Sequence, residues 1–250
     1  MLTDAQKKEL TSIVESSLRR SEELWANTIG KDESLHRAMM ADSKTHIPGH
    51  PYLGENQYKS DEFVCLMLDM RDSTKHLRQA ISARVAKVSQ MQRVYYEVSA
   101  LLPAMAKLIK DADGAVTEYL GDGLLALFQS SRNIAERNQV LMNTITAARD
   151  CMEALQYVVN PILNSRYSLP YLEIGIGLAY SDAIISHFGL SPDTQVKVIG
   201  ECIYLASQLS KGRNEIIVHE NLEMIWPTSK DGKLHFIMRP FKDFKGYVVN

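Results

Sequence analysis

Hydrophobic and polar positions follow two rhythms along this chain. The first is helical. Leu10, Ile13, Val14, Leu18 and Leu24 recur at helical spacing with Lys, Glu and Arg between them, which predicts an amphipathic helix over about 2–30. Thr3 followed by Gln6 fits a capping box at its start. The rhythm is lost over 31–60, where Pro48, Gly49, Pro51 and Gly54 mark a long irregular connection. EFVCLMLD (62–69) is a continuous apolar run closed by a carboxylate, as expected of a strand buried on both faces. A helical pattern then runs from about Ser73 to Lys110, capped by Ser73 or Thr74, until Asp113-Gly114 breaks it. Residues 115–120 and 124–128 read as two short strands joined through Gly121-Asp122-Gly123. A second long helix is expected over about 132–159, stopping near Pro161. YLEIGIGLAY (171–180) and AIISHF (183–188) predict a second hairpin, 195–199 a strand, 201–209 a helix and 215–219 a strand. Residues 234–238 and 244–249 predict a last hairpin. Strands and helices mix without strict alternation. An α+β domain is expected over 61–250, with helices on one face of a mixed, mostly antiparallel sheet, preceded by a helical and irregular arm at 1–60.

Composition acts mainly by exclusion. The 250 residues are 45% hydrophobic and 23% charged, which suits one soluble globular domain with an arm. Lys and Arg number 28 against 30 Asp and Glu, a net charge of −2 that argues against a wholesale basic surface for long nucleic acid. No apolar run approaches the roughly 18 residues of a membrane span, and the first residues lack the apolar stretch of a secretory signal. Cys65, Cys151 and Cys202 form no CxxC pair. Neither a disulfide frame nor a zinc site is expected, and a reducing cytoplasm is the expected compartment.

Asp69 and Asp122 carry the candidate chemistry. Asp69 closes a buried strand, and Asp122 sits at a hairpin tip between two glycines. If the two strands are neighbours, both carboxylates reach one edge of the sheet. Hard oxygen donors placed there suit Mg²⁺ or Mn²⁺, which complete their shells with water and substrate phosphates. An aspartate at a strand end and one in a glycine turn are each common, so the pair by itself is also compatible with an ordinary surface.

Four segments, in order, give the chain a resemblance to the class III nucleotidyl cyclase catalytic domain: VCLMLDMRDST (64–74), VTEYLGDGLLALF (116–128), LEIGIGLAYSDAIISHFG (172–189) and VKVIGECIYLASQLSK (196–211). Together they span most of 62–212 and leave 1–60 outside. The resemblance implies a ferredoxin-like, palm-like domain. It implies two divalent ions, Mn²⁺ or Mg²⁺, held by Asp69, the Met70 carbonyl and Asp122. The 3′-hydroxyl of a nucleoside triphosphate would then attack the α-phosphorus and expel pyrophosphate. It further implies composite sites in a two-fold homodimer. The initial helix would either strengthen that dimer or cover its own core.

At the positions that read the base in this family stand Glu118 and Lys197, neither of the usual pairs. Glu accepts and Lys donates, which matches the N3–H and O4 of uracil and nearly as well the N1–H and O6 of guanine. Adenine and cytosine need the contacts exchanged. Where adenylate and guanylate cyclases carry Asn and Arg on one helical face, the chain has Tyr204 and Gln208. Either the domain is inactive or another cation replaces the Arg, with Arg93, Arg213, Arg239 and Lys242 available. A bulky Tyr204 near the nucleoside suits a smaller base. MRPFKDFKGY resembles the family's triphosphate-lysine hairpin; Arg239, Lys242 and Lys245 all meet the spacing, and Lys242 is favoured. Tyr52 is a candidate aromatic lid, while His50, His76 and His187 lack metal-ligand spacing.

This combination is similar to the pyrimidine cyclases of bacterial Pycsar antiphage systems. The resemblance implies a uridylate cyclase making cyclic UMP from UTP as a second messenger in antiphage defence, read by a separate cyclic-nucleotide effector. Cytidylate, guanylate and adenylate cyclases are the alternatives within the class, and a degenerate nucleotide-binding module the alternative outside it.

Overall fold

A computed structural model describes residues 1–28, 45–54, 57–78, 87–190, 193–227 and 234–250. The chain divides into two compact units. One is drawn from segments within 1–39, 70–108 and 149–173, the other from segments within 40–69, 109–148 and 174–250.

The first unit is helical. Helix α1 (Asp4–Thr28) begins at a reciprocal capping box, in which the Thr3 N–H donates to Gln6 Oε1 at 2.9 Å and the Gln6 N–H to Thr3 Oγ1 at 3.2 Å. Leu10, Val14 and Leu18 are buried, while Leu24 is half exposed. The buried stripe covers α1's own unit: Ser17 Oγ donates to Ser99 O (2.7 Å), and Glu22 accepts from Arg166 Nη2 and Tyr167 Oη, both at 2.6 Å. The helical stretch expected from Ser73 to Lys110 is two helices, α2 (Ser73–Arg78) and α3 (Gln90–Asp111). Pro161 does not end the next helix as expected. Helix α4 (Ile134–Ala154), whose residues up to Ala148 are counted with the second unit, passes through a π-helical turn (Leu155–Val159) into α5 (Asn160–Tyr167), where Pro161 occupies the first turn. The helical path is continuous there, with the Asn160 N–H bonded to Leu155 O, and the wider π turn just before Pro161 accommodates a residue that has no N–H to give.

The second unit carries an eight-stranded sheet: β1 (Tyr58–Met70), β2 (Ala115–Tyr119), β3 (Gly123–Gln129), β4 (Ile174–Phe188), β5 (Gln195–Gly200), β6 (Glu215–His219), β7 (Phe236–Pro240) and β8 (Lys245–Val249). The spatial order is β2-β3-β1-β4-β6-β8-β7, with β5 pairing β4. The β4–β6 pair is parallel; β1–β3, β2–β3, β4–β5, β6–β8 and β7–β8 are antiparallel. The hairpin expected within 171–188 is instead one long strand, β4, which runs straight through Ser181-Asp182 and turns back only into β5.

Helices α6 (Glu201–Leu209) and α7 (Glu220–Met224) also belong to this unit. Phe63, Cys65 and Met67 of β1 join Leu125, Leu127, Cys202, Leu205 and Ala206 in one apolar cluster. Gly177 permits this packing, because a Cβ there would strike the Ala206 carbonyl of α6. Val64, Leu66 and Leu68, which alternate with that set, are fully buried as well. Cover is therefore not confined to one face of the sheet, and the unbroken apolar run of β1 reflects it.

Candidate functional site

Strand β1 delivers Asp69 to the sheet edge opposite the β2–β3 turn, where Asp69 pairs with Gly123. Asp122 immediately precedes Gly123 in that turn. The turn is tight: the Leu120 N–H donates to Gly123 O (2.9 Å), the Asp122 N–H to Leu120 O (3.1 Å), and Gly121 has φ +79°. A Cβ on Gly123 would lie 2.5 Å from the Leu68 carbonyl and 3.4 Å from Asp69 Oδ1. Glycine is what allows the Asp69 carboxyl to lie against the turn bearing Asp122. The two aspartates are thus brought to one edge, both only partly buried. Met70 ends the strand and is buried.

Among the described residues no group of three or more His, Cys, Asp or Glu side chains could hold a metal ion. The two carboxylates are a hard, incomplete oxygen set. That set fits Mg²⁺ or Mn²⁺, whose shells water and phosphate oxygens complete, and it does not fit zinc.

Glu118 and Lys197 meet in a cavity of about 320 Å³, at the small end of ligand-binding sites. Lys197 Nζ lies 3.0 Å from Glu118 Oε1, and both side chains are partly exposed. A β-bulge puts Glu118 there. Val116 pairs with Ala126 but Glu118 with Leu125, so Glu118 takes the place that Thr117 would hold in an unbroken ladder. Lys197 lies on β5, opposite Ser186 of β4.

Three lining residues, Thr45, His46 and Ile47, were not foreseen. They belong to a strap (45–54) preceding β1. Ile47 and Leu53 are buried in the cluster around Phe63. Thr45 Oγ1 donates to His50 O (2.9 Å) and accepts from the Ile47 N–H (2.8 Å), closing a turn. His50 Nε2 and Gln129 Nε2 both donate to Asp61 Oδ2, at 3.0 and 2.7 Å. Burial opposes the charged form of Asp61, but the bonds from Gln129, the Glu62 N–H and His50 outweigh it and hold the carboxyl below its usual range. The anchor is therefore intact at neutral pH and weakens as acid protonates Asp61. His187 Nε2 donates to Leu53 O at 3.1 Å. His50 and His187 are fasteners of the strap, and the exposed Tyr52 does not line the cavity.

Other expected positions stand apart. Tyr204 points outward from α6, 60% exposed, and Gln208 follows one turn later. Gln208 Oε1 accepts from Lys211 Nζ at 2.6 Å. Arg93 is buried and bonded to the fully buried Glu97 at 2.7 Å, where His76 Nδ1 also donates at 2.8 Å; neither is available to a ligand. Arg239 grips Glu215 with two bonds of 2.7 Å and holds its carboxyl below the usual range. Lys242 is exposed in the β7–β8 turn. The structure does not bring it to Asp69. Gly175 at the start of β4 pairs with Glu215, His219 at the end of β6 pairs with Gly246, and the Arg71 N–H just past β1 donates to Glu173 O just before β4. Asp69 and Lys242 therefore lie at opposite ends of the strands.

No family model and no curated protein sequence matches the chain. Solved structures do. The guanylyl cyclase Cya2 superposes with a TM-score of 0.61 at 18% identity, over 76% of this chain and 92% of that one. The adenylyl cyclase CyaB from P. aeruginosa gives 0.60 at 15%, over 78% and 96%. The catalytic core of a rhodopsin-guanylyl cyclase with converted specificity, in complex with ATPαS, gives 0.58 at 14%, over 78% and 98%. The chain has the fold of a nucleotidyl cyclase catalytic domain. Among the described residues no helix is long and apolar enough to cross a membrane.

Proposed function

We propose that the protein is a nucleotidyl cyclase converting UTP to 3′,5′-cyclic UMP and pyrophosphate. The observation that carries this reading is the pairing of Asp69 with Gly123, which sets two carboxylates at one sheet edge of a cyclase fold. The 3′-oxygen bonds to the α-phosphorus, the bond from that phosphorus to the β-bridging oxygen breaks, and the hydroxyl proton passes to water. Held by Asp69, the Met70 carbonyl and Asp122, two divalent ions, Mn²⁺ or Mg²⁺, would acidify the hydroxyl and neutralise the departing pyrophosphate. The chain's own contribution is to position the nucleoside and stabilise charge.

Glu118 and Lys197 support uracil. Their ion pair is partly exposed, so it is worth at most about 1 kcal/mol and opens at little cost. An imide edge slips between them, its N–H to Glu118 and its carbonyl to Lys197. Two copies would complete two composite sites. Lys242 stands too far from Asp69 to serve its own copy, so it would hold the triphosphate of the other. The β4–β5 hairpin exposes Ile184, Phe188, Leu190 and Ile199, an apolar surface suited to a second copy.

Tyr204 and Gln208 favour a second reading, a cyclase fold that binds nucleotide without turnover. Lys211, bonded to Gln208, weighs against it by bringing a cation to that helix face. Incubation of the purified chain with Mn²⁺ and each of the four nucleoside triphosphates, read by mass spectrometry, decides. Cyclic UMP is expected to dominate; dominant cyclic CMP, GMP or AMP overturns the base assignment. Binding without product at any metal concentration establishes the second reading. The role in antiphage defence rests on the resemblance, and the same measurement on extracts of phage-infected cells tests it by accumulation of the cyclic nucleotide.

A further inference from the structure

Two contacts cannot tell uracil from guanine. Both bases offer a carbonyl beside a ring N–H, and Glu118 with Lys197 would accept either. The third position along the edge differs. Uracil continues with a second carbonyl, an acceptor, and guanine with an amino group, a donor. A site that selects uracil needs a donor there.

The strap supplies one candidate. It walls the cavity with Thr45, His46 and Ile47. Ile47 is apolar and buried, and the Thr45 hydroxyl is spent within the strap's own turn. His46 is exposed, and no hydrogen bond or ion pair with another described residue engages its imidazole. The wall that holds it is fixed, since Ile47 and Leu53 are sunk in the core and His50 is tied to Asp61. We infer that His46 is a specificity-determining residue of the nucleotide site, its ring N–H donating to the carbonyl of a pyrimidine base that flanks the imide N–H on the side away from Lys197. The inference rests on the reading of the Glu118–Lys197 cavity as the base site. It adds to that reading a residue from a segment preceding the first strand.

The test is equilibrium binding by calorimetry, with Ca²⁺ in place of Mn²⁺ to suppress turnover and inorganic tripolyphosphate as a control blind to the base. Wild type is expected to bind UTP more tightly than GTP. His46→Ala is expected to lower the UTP:GTP affinity ratio about tenfold, roughly one well-made hydrogen bond against a mispaired donor. Acceptor-only His46→Asp is expected to carry preference towards GTP, and donor-retaining His46→Gln to preserve most of the wild-type ratio. Tripolyphosphate affinity should be unchanged throughout. Ratios within twofold of wild type in both His46→Ala and His46→Asp overturn the inference, as does a wild type that binds the two nucleotides equally. Because binding is read without turnover, the two readings fail separately. A shifted ratio in a chain that forms no cyclic product sustains His46 and removes the cyclase reading. An unshifted ratio in an active cyclase does the reverse.

Discussion

Asp69→Ala is expected to reduce cyclic nucleotide formation at least about a thousandfold in saturating Mn²⁺, and Asp122→Ala to do the same. The first decides more, because of where each residue sits. Asp69 lies one residue from the end of the strand that runs through the apolar cluster, so its carboxyl is held against Gly123 by a backbone with little freedom to move. Asp122 sits on a turn between two glycines, whose backbone is freer to adjust. A thousandfold loss is about 4 kcal/mol of transition-state stabilisation, the scale expected when charge developing on a phosphoryl group loses a counter-ion. Circular dichroism establishes that the variant is folded, and product is quantified by mass spectrometry. Asp69→Asn, which keeps the shape and removes the charge, should fall nearly as far. Wild-type turnover in a folded Asp69→Ala protein would remove the metal assignment and the proposed activity with it.

Features set by local chemistry could be read from the sequence. Residues 63–68 are apolar without interruption because both faces of β1 are buried, and helix α6 and strand β6 occupy the spans their patterns predict. Features set by long-range geometry could not. Ser181-Asp182 resembles a turn, yet β4 continues through it to pair with β5. Pro161 resembles a stop, yet it opens the next helix. Two-residue alternation gives no notice of the bulge that turns Glu118 to the cavity. Nor does spacing separate Arg239 from Lys242; in the structure Arg239 is bonded to Glu215 and Lys242 is exposed. The strap carried the weakest signal of all. Its two core residues, Ile47 and Leu53, are six positions apart and follow neither a helical nor a strand period, so His46 and Thr45 read as loop. The only local cue was the pair of prolines and glycines that fix its course.

Mixing two inactive variants is expected to restore activity. Asp69→Ala removes the metal side of a site and Lys242→Ala the triphosphate side. Within one chain these residues lie at opposite ends of the strands, so a site that uses both draws on two copies. In an Asp69→Ala/Lys242→Ala heterodimer one composite site carries both lesions and the other carries none. Random assortment at equal concentration makes half of all dimers heterodimers, each with one intact site of two, so the mixture should recover about a quarter of wild-type activity. Each variant alone should stay at background, which makes the rise several hundredfold. Subunit exchange is secured by co-expression with two different affinity tags, and tandem purification of the doubly tagged species should raise recovery to about half. The result separates a composite site from two simpler arrangements. If each chain held a complete site, no mixture would exceed the mean of its parts. If Lys242 played no part, its variant alone would already be active, and the same experiment would then be run with Lys197→Ala, on the base side of the cavity. Recovery with Lys197 but not with Lys242 would keep the dimer and move the triphosphate contact to Lys245, also exposed beside the β7–β8 turn.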